Sequence, residues 1–117
     1  MSETWELAFL PEARDDLKHL DRSQQLRVLK AIDRVRTNPL PRSEGGYGSP
    51  LGNKFSYDLT GLLKIKLKSD GIRVVYKAYR QNGMMLVVII GMRADEEVYR
   101  EAARRKKQLE STCRVCS

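Results

Sequence analysis

The sequence predicts an α+β domain: an antiparallel sheet, made of an N-terminal strand plus a three-stranded meander, packed against a two-helix hairpin and followed by a C-terminal helix. Three observations carry this. Residues 11–35 place apolar side chains at helical spacing, and residues 62–90 switch to alternating or continuously apolar runs. Between those later runs stand Asp70-Gly71 and Asn82-Gly83, the dipeptides favoured in tight hairpin turns.

Taken in order, Trp5-Glu6-Leu7-Ala8-Phe9 alternates large apolar with smaller or polar residues and predicts an opening strand. Pro11 suits the first turn of a helix, where its missing N–H costs nothing, and Ala13, Leu17 and Leu20 form one stripe behind it. Asp21 followed by Gln24 resembles a helix cap, after which Leu26, Leu29, Ile32 and Val35 continue the period until Asn38-Pro39 stops it. Residues 39–53, rich in Pro, Gly and Ser, predict a loop. Leu62 to Lys68 alternates strictly, Ile72 to Tyr79 is β-branched and aromatic, and Met84 to Ile90 is apolar on both faces, as a covered central strand is. From Asp95 or Glu96 a last helix runs to about Leu109, carrying Val98, Ala102 and Leu109. Residues 1–110 are thus expected to form one domain and 111–117 a disordered tail.

The chain of 117 residues carries 22 Lys and Arg against 15 Asp and Glu, a formal net charge of +7, and its mean hydropathy is −0.51. Residues 1–40 hold seven of each sign, so the whole excess lies in residues 41–117. Such a localised excess suits an anionic partner, nucleic acid above all, because each neutralised phosphate releases counterions. No stretch approaches the ~18 apolar residues of a membrane span, and Met-Ser-Glu-Thr-Trp-Glu is not a secretory signal, so a cytoplasmic protein is expected. The only cysteines, Cys113 and Cys116, lie in the last five residues and give no disulfide framework; the lone His19 excludes chemistry that needs several histidines. No metal or cofactor is expected.

In Leu62-Leu63-Lys64-Ile65-Lys66-Leu67-Lys68 the lysines share one face and Leu63, Ile65 and Leu67 the other. A two-residue Asp70-Gly71 turn would set Lys68 opposite Arg73, Lys66 opposite Val75 and Lys64 opposite Lys77, gathering five cations on one ribbon. Like charges directly opposed weaken a sheet, so an anionic partner accounts for them better than a solvated polar face does, though that plainer reading stays open. The same arithmetic at Asn82-Gly83 pairs Arg73 with Met92 and turns Arg93 to the wrong face. A shared site therefore predicts an irregularity between Ile90 and Arg93, a bulge at Gly91 being the natural form.

Together, Gly52-Asn53-Lys54, Asp58-Leu59-Thr60-Gly61-Leu62, Lys64-Ile65-Lys66-Leu67, Gly71-Ile72-Arg73-Val74-Val75-Tyr76, and Arg93 followed by Glu97-Val98-Tyr99 resemble the RelE family of toxins within the RelE/ParE superfamily, over roughly residues 4–105. The resemblance implies the toxin of a type II toxin–antitoxin system, a ribosome-dependent, metal-independent endoribonuclease (mRNA interferase) that cleaves message in the decoding A site and inhibits translation. It implies a cognate antitoxin, the ribosome and mRNA as partners. Its catalytic positions fall on Lys64, Lys66, Arg73, Arg93 and Tyr99, with Lys54, Lys68 and Lys77 as further RNA-binding cations. Asp95 and the Cys113/Cys116 tail depart from the family pattern. Two alternatives accompany this reading: a ParE-like toxin that inhibits DNA gyrase by binding, and a catalytically inactive basic nucleic-acid-binding module.

Cleavage by 2′-hydroxyl attack needs a base, stabilisation of the pentacoordinate phosphate and an acid for the leaving oxygen. Without a histidine in the motif region, the roles fall to Lys66 as base, Lys64 as phosphate clamp, Arg73 as transition-state stabiliser, Arg93 at the leaving oxygen and Tyr99 as the group that stacks on or orients a base. Crowded cations are expected to lower a lysine pKa toward usefulness.

Overall fold

The computed structural model describes residues 4–54, 56–68, 71–92 and 95–116. Its elements are β1 (Glu6–Phe9), α1 (Pro11–Lys18), α2 (Arg22–Val35), a 3₁₀ turn at Arg42–Glu44, β2 (Ser49–Lys54), β3 (Tyr57–Leu67), β4 (Ile72–Tyr79), β5 (Met84–Gly91) and α3 (Asp95–Cys116). Both helix starts follow from local chemistry. Pro11 opens α1, and the Asp21 carboxylate accepts from the Gln24 backbone N–H while the Gln24 side chain accepts from the Asp21 N–H, a complete capping box.

The α+β class stands, with differences of detail. The sheet is five-stranded and mixed, in the order β1-β5-β4-β3-β2. After β1 the chain passes through α1 and α2 to the far edge, then returns as an antiparallel meander, so β5 arrives parallel to β1. The unexpected strand is β2, taken from the sequence as loop. Its Pro50 and Gly52 are tolerable because it is an edge, and a bulge lets Leu51 turn inward, 3% exposed. The last helix does not stop near Leu109 but continues to Cys116.

Both sheet faces are covered. Leu63, Ile72, Val74, Tyr76, Val87 and Ile90 pack against Ala13, Val28, Ile32 and Val35 of the α1–α2 hairpin. Here the sequence reading misassigned part of α2: the buried stripe is Val28, Ile32 and Val35, whereas Leu26 and Leu29 are exposed. On the opposite face Leu59, Leu62, Val75, Val88 and Ile89 pack against Val98, Tyr99 and Ala102 of α3.

Hairpin registers differ from those counted on two-residue turns. Lys66 lies opposite Arg73, Lys64 opposite Val75 and Leu62 opposite Lys77, with Leu67 and Ile72 closing the ladder. The shift is an even number of residues, so the cations keep their common face. In the second hairpin Tyr79 pairs with Met84. A type I′ turn needs positive φ at both central residues. Gly83 has φ +61°, but among the described non-glycine residues only Ser56 has positive φ, so Asn82-Gly83 cannot form that turn.

The irregularity expected at Gly91 occurs earlier. Tyr76 pairs with Val87 but Val75 with Ile89, leaving Val88 as the extra residue of a bulge, and Gly91 then sits opposite Arg73. The bulge changes parity, which puts Ile89 and Gly91 on the face of Lys64, Lys66 and Arg73. Glycine at position 91 serves a different purpose: a Cβ there would stand 2.9 Å from Val98 Cγ2. Gly91→Ala is expected to lift the start of α3 and cost about 1–3 kcal/mol, read from the urea midpoint, because Val98 is short, branched and packed.

Candidate functional site

Alternation along β3 and the Lys66–Arg73 pairing place Lys64, Lys66 and Arg73 together on one face. Lys66 is exposed, while Lys64 and Arg73 are half-buried. Arg73 Nη1 donates to the Gly71 carbonyl at 3.0 Å, which draws the guanidinium toward the hairpin end of the strand. Three cations sharing one face can hold a phosphate and stabilise negative charge developing on it.

Tyr99 joins this group from α3. Lys64 Nζ donates to the Tyr99 hydroxyl at 3.1 Å and lies 5.8 Å from the ring centre. However, Tyr99 is 2% exposed. Its ring is a core aromatic of α3, and only its hydroxyl reaches the site, so it orients Lys64 and offers no surface for a base to stack on.

The other expected residues are spread differently. Lys68 is exposed in the turn after β3. Lys77 lies opposite Leu62, four residues along β4 from Arg73 and hence about 13 Å away, with Nζ 5.0 Å from the Tyr79 ring centre. The backbone of Lys54 ends β2, and its side chain lies outside the described residues, as does all of Arg93. Among the described residues no three His, Cys, Asp or Glu side chains gather as a metal site, and no helix is long and apolar enough to cross a membrane.

An ion-pair network that the sequence reading missed holds α3 over this face. Arg105, 7% exposed, directs Nη1 to Asp16 Oδ2 at 2.8 Å and Nε to Glu101 Oε2 at 2.8 Å. Its Nη1 also donates to the Val88 carbonyl at 2.8 Å, and the Ile90 N–H donates to Asp16 Oδ2 at 3.2 Å. These backbone groups lie beyond the last β1–β5 pair, Phe9 with Val87, so side chains of α1 and α3 satisfy what β1 no longer reaches. Hydrogen bonds from Arg104, with Arg105 adding to them, bring the Glu101 pKa down to about 2.

The reading from total charge also missed Arg27, Lys30 and Arg34 on α2. They line a groove shared with Lys64, Lys66 and Lys68. Their spacing of i, i+3 and i+7 is the signal that could have found them, but the balanced charge of residues 1–40 concealed it.

No family model and no curated protein matches the chain. Solved structures do. A double arginine-to-alanine mutant of E. coli toxin RelE in the free state is 23% identical, covers 88% of this chain and 98% of its own, and superposes with a TM-score of 0.67. Isolated E. coli RelE toxin is 25% identical, over 86% of this chain and 97% of its own, with a TM-score of 0.62. The toxin–antitoxin complex RelBE2 from Mycobacterium tuberculosis provides a chain 22% identical, over 81% and 98% respectively, with a TM-score of 0.53. The chain has a RelE-type toxin fold.

Proposed function

We propose that this protein is the toxin component of a type II toxin–antitoxin system and a ribosome-dependent endoribonuclease. The observation that carries the reading is the placement of Lys64, Lys66 and Arg73 on one face of a RelE-type sheet. Residues 1–110 form the toxin domain in this reading, acting in the cytoplasm on mRNA held in the decoding A site. E. coli RelE has been solved with an antitoxin RelB peptide, and Pyrococcus horikoshii RelE with RelB, which supports a cognate antitoxin as the partner that silences this chain.

In the proposed reaction the RNA 2′-hydroxyl attacks the adjacent phosphate, forming a 2′,3′-cyclic phosphate and releasing the 5′-oxygen. Lys66, the exposed member, accepts the hydroxyl proton. Lys64, oriented by the Tyr99 hydroxyl, clamps the phosphate, and Arg73 stabilises the pentacoordinate state. Arg93 is assigned to the leaving oxygen. Cations alone are poorly matched to proton transfer at neutral pH, and the ribosome compensates by holding the message in a near-attack geometry.

Brief expression followed by primer-extension mapping of message ends tests this. Cuts are expected inside translated codons, disappearing when translation of that message is blocked and when the antitoxin is co-expressed. Growth arrest with intact messages and inhibited DNA gyrase would overturn the nuclease reading in favour of a ParE-like activity.

A further inference from the structure

Between α2 and the end of β3 lies a groove of about 660 Å³, of which the site described above occupies only one margin. The last β2–β3 pair in this direction is Ser49 with Lys64, so residues 65–67 form an open sheet margin along it. Arg27, Lys30 and Arg34 rise from one wall, Ile65, Leu67 and Ala31 lie between, and the open β3 margin borders the other side, with Lys64 and Lys66 turning over it to the opposite sheet face and Lys68 at its end. No carboxylate lines the groove among the described residues, and Lys30, Arg34, Lys66 and Lys68 have no ion-pair partner among them. Near Ser49 the groove reaches Tyr47, which is 40% exposed, with the Arg34 guanidinium 5.4 Å from its ring centre.

A basic wall beside a margin edged with lysines, without acids, selects a polyanion. An acidic peptide would meet the charge. Two further features favour a nucleic acid strand: an accessible aromatic face among cations is a stacking platform for a base, and the groove ends at the open β3 margin over which Lys64 and Lys66 lie.

We propose that this groove binds the single-stranded RNA flanking the scissile phosphate, its backbone running between the cations of α2 and β3 and one base stacked on Tyr47. The proposal rests on the nuclease reading of Lys64, Lys66 and Arg73, and gives Tyr47 the stacking role that the buried Tyr99 cannot perform.

The test uses the full chain and a fluorescein-labelled all-2′-deoxy strand of roughly twelve nucleotides. That strand lacks the attacking hydroxyl, so binding is read apart from cleavage. Lys30→Gln with Arg34→Gln is expected to raise Kd at least ~10-fold near ~0.1 M salt and to make the log–log salt slope shallower by about 1.4, two single-strand phosphate contacts being lost. Tyr47→Ala is expected to weaken binding by about 5- to 100-fold with the slope unchanged. Thermal midpoints check that the variants remain folded. Wild-type binding by both variants would overturn the proposal, as would displacement of the strand by a polyglutamate peptide at lower concentration than by unlabelled strand. If the variants lose binding but wild-type protein cuts no message on ribosomes, the groove stands and the nuclease reading falls. Cleavage on ribosomes together with unaltered binding by the variants gives the converse.

Discussion

Arg73→Ala is expected to slow single-turnover cleavage of ribosome-bound message by at least ~10²-fold while leaving ribosome affinity nearly unchanged. Arg73 lies directly across from Lys66, with its guanidinium held by the Gly71 carbonyl, and in the proposed reaction its charge stabilises the pentacoordinate phosphate. Lys68, exposed in the turn, lies beyond the β3–β4 ladder, which closes at Leu67 and Ile72. Lys68→Ala is correspondingly expected to act through salt-dependent affinity and not through the chemical step. If Lys68→Ala abolished the chemistry while Arg73→Ala left it intact, the assignment of roles would fail.

Arg105→Met is expected to reduce folding stability by about 3–5 kcal/mol, measured by urea denaturation. Methionine preserves most of the apolar stem but removes the buried guanidinium from Asp16 and from the Val88 carbonyl, while Glu101 keeps its bonds to Arg104. Adding Asp16→Asn should cost less than the sum of the two single changes, because the groups share one network. The same network makes α3 sensitive to acid. Glu101 has a folded-state pKa of about 2 against an ordinary 4.5, so its contribution is complete above about pH 4.5 and is lost as pH falls toward 2. Glu101→Gln should flatten that acid limb; an unchanged limb would show that other carboxylates govern it.

Periodicity and capping made much of the fold legible. Pro11 and Asp21 start helices, and the alternating lysines of β3 lie on one face, as their patterns require. What escaped the sequence depends on contacts between distant segments. β2 lacks strand propensity and exists because β3 offers it a partner. At the bulge around Val88, backbone groups are satisfied by Arg105 and Asp16, residues far from it along the chain, and no local signal marks it. Lys64, Lys66 and Arg73 could be grouped from alternation alone, since an even register shift leaves faces unchanged. Tyr99 could not be placed so: whether an aromatic on a mixed helix meets core or solvent depends on how that helix seats.

The irregular edge strand has a consequence for how copies of this protein meet. A regular outer strand would present a row of unpaired N–H and C=O groups to any neighbouring chain. Here Pro50 withholds a donor, the bulge at Leu51 interrupts the row, and Gly52, with φ +59°, bends it away. Where that strand stops, the open margin at 65–67 is bordered by Lys64, Lys66 and Lys68, whose charges repel a second identical margin. At high concentration this side of the sheet is therefore protected against strand-to-strand aggregation, and the same lysines that face the proposed anion keep this margin from pairing with its own copy.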